Sequence, residues 1–223
     1  MPPEETTNPQ PHAFGASQKA SGLVALPDID RPDVQIAVVR QFLVDGPEQQ
    51  REVAAATLAR WNVMPWPDAL ISRTCYVSTD EQRVLTYDQW SGDQPDVEDS
   101  VAIPYRLYRS GVRDQAPKPG CIVIVEVETD QAATARRWVD AVFDALAAEP
   151  ALHPGGISGH FHISLDGTHV LNYAEWVDEA SHVEALGRAG TIGRGPAWRV
   201  VQTMPGVQSR GFRRYRLHGA KFG

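Results

Sequence analysis

The sequence predicts an α+β fold: two ferredoxin-like β-α-β-β-α-β repeats whose sheets pack as a pseudo-dimeric α+β barrel. Three observations lead there. Ile71–Trp90 lies over Ile157–Trp176 without a gap, a shift of 86 positions, and Ile71/Ile157, Ser72/Ser158, Ser78/Ser164, Asp80/Asp166, Val84/Val170, Leu85/Leu171, Tyr87/Tyr173 and Trp90/Trp176 are identical. The elements flanking this window recur in the same order on both sides. Finally, each copy carries an apolar patch that it could bury only against the other.

In the first copy, Val34–Arg40 reads as a buried strand. Pro47 to Trp61 reads as a helix, opened by proline in its first turn and apolar at Val53, Leu58 and Trp61. In the second copy, Cys121–Val127 is a continuous apolar strand. Thr129 or Asp130 can cap a helix whose apolar face is Ala135, Trp138, Val139, Val142 and Leu146, ending before Pro150. Each copy continues as a hairpin (Ala69–Thr79 with Arg83–Trp90; Ile157–Leu165 with His169–Trp176). A second helix follows, clearest at Asp178–Arg188, and then a last strand, Pro104–Gly111 or Gln208–Leu217. The repeats are bounded at 33–114 and 120–218. Residues 1–32, rich in Pro, Gln, Thr and Ser, read as a disordered leader.

Bulk properties narrow the function. A net charge of -7 argues against a phosphate-backbone partner, so nucleic acid is not expected. No stretch reaches the roughly 18 to 20 apolar residues needed to cross a bilayer, and no basic-then-apolar leader stands at the N-terminus, so no membrane partner is expected. Cys75 and Cys121 stand alone in apolar runs, without metal-ligand spacing, which suits a reduced, cytoplasmic protein. The Gly155-Gly156 and Gly193-Arg194-Gly195 pieces lack the strand-to-helix setting of phosphate loops. Arg210, Arg213, Arg214 and Arg216 form the one basic cluster, either a solvated face or an anchor for an acidic group.

Strand alternation sorts the second hairpin into faces. If Asp166-Gly167-Thr168 is a three-residue loop, Phe161, Ile163, Leu171 and Tyr173 fall on the seam between the sheets, and His162 lies across from Asn172 on the helix-covered face with Trp176. The same arithmetic in the first copy puts Cys75, Val77, Leu85 and Tyr87 on the seam. It places Tyr76, Thr86 and Trp90 where the second copy has His162, Asn172 and Trp176. A structural reading remains open for each: an interior histidine with satisfied partners, or a core tryptophan whose N–H finds a carbonyl. A mid-strand asparagine needs a partner or a ligand. His160 and His182 are further candidates for substrate contact.

His153-Pro154-Gly155-Gly156-Ile157, Ser164-Leu165-Asp166-Gly167 and Val170-Leu171-Asn172-Tyr173-Ala174-Glu175-Trp176, followed by an acidic helix, resemble the antibiotic biosynthesis monooxygenase (ABM) domain. The resemblance covers nearly all of Val34–Leu217 as two copies and is strongest in the second. It implies a cofactor-independent monooxygenase that oxidises an anthrone- or naphthol-type aromatic polyketide with O2 in antibiotic biosynthesis. It also implies Asn172, Trp176 and His162 as catalytic residues; the first copy departs from the pattern, with Thr86 at the Asn position and Tyr76 at the His position, so the chemistry is expected in the second copy, and His160, His182, Trp90, Tyr76 and Thr86 are expected as substrate contacts. Family members are usually homodimers, so one chain with two copies is expected to act as its own dimer, monomeric or weakly associating. A polyketide cyclase or isomerase, a non-catalytic ligand-binding pathway protein, and a haem binder using His162 or His160 are the competing expectations.

Overall fold

A computed structural model describes residues 25–92, 101–149, 152–187 and 195–223. Its strands are β1 (Ile36–Leu43), β2 (Leu70–Ser78), β3 (Arg83–Trp90), β4 (Ala102–Val112), β5 (Cys121–Thr129), β6 (Gly156–Ser164), β7 (His169–Trp176) and β8 (Val207–Phe222). Its helices are α1 (Pro47–Val63), α2 (Ala132–Ala147), α3 (Glu179–Gly187) and α4 (Pro196–Gln202). The eight strands close into one barrel in the order β1-β3-β2-β8-β5-β7-β6-β4. Two four-stranded sheets, β4-β1-β3-β2 and β8-β5-β7-β6, are therefore zipped at both edges, β2 to β8 and β4 to β6. Closure leaves no free edge on either sheet. The expected pseudo-dimeric barrel is the fold observed.

Several boundaries differ from expectation. β8 runs on to Phe222, because its C-terminal half pairs with β2 of the other repeat. α4 was not expected; its Trp198 and Val201 join the core beneath α2. Of the expected leader, residues 25–32 are described. Residues 1–24 lie outside the described residues, but Ile29 is buried in the barrel core and the Asp28 carbonyl accepts from Gln89 Nε2 at 2.7 Å. An apolar residue among Pro and Asp is enough to seat this segment on the barrel. The second helix of the first repeat and Gly193-Arg194 also fall outside the described residues.

The hairpin register is the consequential correction. Ile163 pairs with Val170, so β6 and β7 are joined by Leu165-Asp166-Gly167-Thr168 rather than by three residues. Side-chain chemistry holds this turn: Ser164 Oγ accepts the His169 N–H at 2.9 Å, Asp166 Oδ1 accepts the Thr168 N–H at 3.0 Å, and Gly167 takes φ 75°. The first hairpin repeats it. Ser78 Oγ accepts from Arg83 at 2.9 Å, Asp80 Oδ1 accepts from Gln82 at 3.2 Å, and Glu81 takes φ 60°. One added loop residue moves every side chain of one strand to the other face. His162 thus pairs with Leu171 inside the barrel, whereas Asn172 pairs with Phe161 outside it. In the first repeat Tyr76 and Leu85 go inside while Cys75 and Thr86 go outside. Tyr87 and Tyr173 are interior, as expected, and Trp176 lies on the opposite face.

The left-handed turn residue predicts opposite effects in the two hairpins. Gly167→Ala should destabilise by about 1 kcal/mol or more, since a Cβ there meets the Ala132 Cβ at 2.5 Å and φ is positive. Glu81→Gly should stabilise by about 0.5 kcal/mol by relieving the same strain. Urea midpoints of the two variants falling on the same side of wild type would exclude this account.

Candidate functional site

The barrel interior is packed with aromatic and aliphatic side chains, among them Tyr76, Tyr87, Tyr105, Tyr173 and Tyr215. The hydroxyls of Tyr76, Tyr87, Tyr173 and Tyr215 pair with one another or with polar neighbours, as buried phenols do. Tyr76 and Tyr173 share a hydrogen bond of 2.9 Å, and Tyr215 donates to Gln41 Oε1 at 3.1 Å. His162 belongs here, 1% exposed. Its Nδ1 is 3.0 Å from the His160 carbonyl, which can only accept, so Nδ1 carries the proton and Nε2 accepts from the Tyr87 hydroxyl at 3.0 Å. Burial, with help from nearby His160, pulls its pKa down to about 4. His160 sits nearer the barrel end. Its Nδ1 donates to Ser110 Oγ at 2.9 Å, and Ser110 in turn donates to Asp30 Oδ1 at 2.6 Å. That contact ties the segment before β1 to β4 and β6.

Asn172 and Trp176 lie on the far side of the same sheet. The Trp176 ring is flanked by His153, with centroids 5.9 Å apart, and by His182 of α3, at 4.8 Å. His182 is buried, not on the exposed rim; its Nδ1 accepts from Arg214 Nε at 2.9 Å. Burial and the Arg214 charge pull its pKa to about 4. Asn172 Oδ1 is buried with no hydrogen-bond partner among the described residues. Phe161, Ile163, Trp138 and Val142 fill the space beneath α2. The sequence-predicted trio is therefore divided by the sheet: Asn172 and Trp176 share a face, and His162 does not. The basic cluster is largely neutralised, Arg210 by Glu128 at 2.6 Å, Arg213 by Asp80 at 3.6 Å and Arg216 by Glu179 at 3.0 Å.

The corresponding face of the first repeat is built differently. A cavity of about 250 Å³ opens between α1 and the sheet, walled by Trp61 and Phe42 and floored by Thr86, Arg40, Arg73 and Asp88. Alternation places Arg40, Thr86, Asp88 and Arg73 together, because Arg40 pairs with Thr86 and Arg73 with Asp88. Asp88 is 2% exposed. Its Oδ2 receives Arg40 Nη1 at 3.2 Å and Arg73 Nε at 3.3 Å, while its Oδ1 is buried without a partner among the described residues. Burial outweighs the two guanidinium groups and raises its pKa above the ordinary carboxylate value. The Arg73 guanidinium also stands 5.7 Å from the centre of the Trp61 ring. Of the expected contact residues, Thr86 lines this cavity. Trp90 closes the strand beyond it, its Nε1 without a partner among the described residues, and Tyr76 is in the barrel.

Sequence reasoning missed Arg40, Arg73 and Asp88. The signal was present as charges inside otherwise apolar strands, two basic and one acidic, at positions that become cross-strand neighbours once the register is right. The second repeat has no such set. By pairing, its counterparts are Val125 opposite Asn172 and Gly159 opposite Ala174.

No protein-family model matches the sequence, and no curated protein is similar to it in sequence. Solved structures share its fold, two of them as follows. An anthrone oxidase-like protein superimposes with a TM-score of 0.63 at 13% identity, covering 86% of this chain and 94% of that one. A candidate monooxygenase from Fusobacterium nucleatum subsp. nucleatum gives 0.53 at 8% identity, covering 85% and 94%. At these identities the likeness concerns the α+β barrel alone.

The low pKa of His162 fixes the sign of an acid effect. Above about pH 6.5 the residue is neutral whether the chain is folded or not; between 6.5 and 4 the unfolded chain takes up a proton that the barrel refuses, so stability falls as pH drops. The loss is on the order of 3 kcal/mol by pH 4. His162→Gln should remove this increment, making the fall in urea-unfolding free energy between pH 7.5 and 4.5 smaller than in wild type. An equal fall would refute the assignment.

Proposed function

We propose that the protein is a monooxygenase that oxidises an anthrone- or naphthol-type aromatic compound, such as an aromatic polyketide of antibiotic biosynthesis, using O2 and electrons drawn from the substrate itself. The two repeats of one chain stand where the resembled family uses two subunits. The observation that carries the reading is the cavity beneath α1, where an aromatic wall meets two guanidinium groups and a buried carboxylate. The barrel fold shared with an anthrone oxidase-like protein supports it by analogy.

The chemistry needs little from the protein beyond placement and charge. Removing a proton from the carbon between the rings of an anthrone gives an enolate, which passes one electron to O2; the radical pair recombines as a hydroperoxide. Loss of water leaves the quinone, so one CH2 and one O2 become one C=O and one H2O. Trp61 and Phe42 would stack the rings, and Arg40 and Arg73 would stabilise the enolate and peroxide oxygens. The cavity lies near the lower end of the roughly 300–1,000 Å³ typical of ligand pockets, which suits two or three fused rings without long substituents. In this proposal Asn172 and Trp176 belong to the packing of the second repeat, and His162 serves the barrel.

An oxygen electrode with anthrone or 1-naphthol as substrate tests the reading: uptake should match product one to one, and labelled O2 should place one atom in the quinone. Turnover without label would mean a cyclase or isomerase working through the same enolate. Binding without turnover would mean a ligand-binding protein. Arg73→Gln should lower kcat/KM on the order of one hundred-fold.

A further inference from the structure

Asp88 is poorly explained as a structural ion-pair partner. A carboxylate kept to neutralise Arg40 and Arg73 would engage both oxygens, yet both guanidinium groups meet Oδ2 and Oδ1 is left without a partner among the described residues. A buried polar atom in that state has lost its water and gained no bond to offset the loss. The fold does not require it either, since Ala174 occupies the equivalent place in the second repeat, opposite Gly159, and the same sheet forms there. A buried acid at the floor of a cavity, gripped by one oxygen and free at the other, is placed as a general base is: held in orientation, with one lone pair left for a ligand.

We infer that Asp88 is the proton acceptor of the cavity and that its substrates are aromatic compounds with an acidic C–H or O–H group that becomes an anion on binding. The inference rests on the proposed oxygenase reading for the later steps but not for this one. Asp88 Oδ1 takes the proton; the electron pair of the broken C–H bond moves into the ring system and onto its oxygen; Arg40 and Arg73 face that charge. The same Asp88, now protonated, can return its proton to the peroxide oxygen, so the group ends as it began. Among the described residues two further titratable groups stand near it: Arg60 of α1, which lines the cavity, and Cys75 on β2, whose thiol burial pushes up to about 12 and keeps neutral. With three cations around one acid, an anionic product of deprotonation is favoured over a cationic ligand.

Proton removal can be read without oxygen. Wild-type protein, anaerobic in D2O with anthrone, should exchange deuterium into the ring CH2 faster than buffer does, with a rate that rises with pH through an apparent pKa above the usual carboxylate value of about 4. Asp88→Asn should slow exchange by on the order of one hundred-fold or more while still quenching Trp61 fluorescence on binding anthrone. Asp88→Glu should recover part of the rate. Exchange by the Asn variant equal to wild type overturns the assignment, and so does a pH-independent rate, which is measured on wild type and holds even if the variants fail to fold. Exchange without O2 uptake in air defeats the oxygenase reading and leaves Asp88 in place; O2 uptake undiminished in Asp88→Asn does the reverse.

Discussion

Two serine hydroxyls decide which side of each sheet every hairpin residue faces. Ser78 and Ser164 each accept the backbone N–H five residues ahead, Arg83 and His169, and so supply the hydrogen bond that a four-residue connection would otherwise leave unmade. Asp80 and Asp166 fold the turn from within, and a left-handed residue completes it. Because the side-chain period of a strand is two, the parity of this connection decides which residues of the two strands share a face: four residues put Tyr76 with Leu85 and His162 with Leu171 inside the barrel, whereas three would turn one strand over and put Cys75 with Leu85 and Phe161 with Leu171 there. That other register would place Tyr76 beside Thr86 and His162 beside Asn172 under the helices.

With that parity set, closure follows from the last strand of each repeat. β4 binds β1 on one side and β6 on the other, and β8 binds β5 and β2, so each repeat lends its edge to its partner's sheet. Burial in this interior disfavours charge on His162 and leaves the Tyr76 and Tyr173 hydroxyls bonded to each other and that of Tyr87 bonded to His162. Residues before β1 add to the same core through Ile29, and the Asp30 to Ser110 to His160 chain fastens them.

Most of this architecture was legible. The gapless repeat, the elements around it and the pairing of Tyr87 with Tyr173 on a shared seam all follow from residue type and period. The register was not legible, and the grouping of the candidate residues changed with it: His162 parts from Asn172 and Trp176. Ser78/Ser164 and Asp80/Asp166 were visible as identities, but their meaning lies in side-chain to backbone bonds that composition does not display. The error then propagated through alternation: placing His162 across from Asn172 drew attention to the second repeat and hid Arg40, Thr86, Asp88 and Arg73, which become one cluster only in the correct register. Ile29 was hidden for a different reason, being a single apolar residue among turn formers with no period to reveal it.

Duplication explains why such a cluster can exist in one repeat alone. A buried acid with a vacant lone pair lowers stability, and a barrel made of two identical subunits would carry that cost twice. Here the second repeat uses the same outer face for packing: Trp176 stacks against His153 and His182, and Phe161 meets Trp138 and Phe143. The histidines and rings there contribute burial beside positions where the first repeat holds Arg73 and Asp88. In the proposed reading the outer face of the first repeat carries the chemistry and that of the second the packing, and β8, paired to both β2 and β5, keeps the two halves in register.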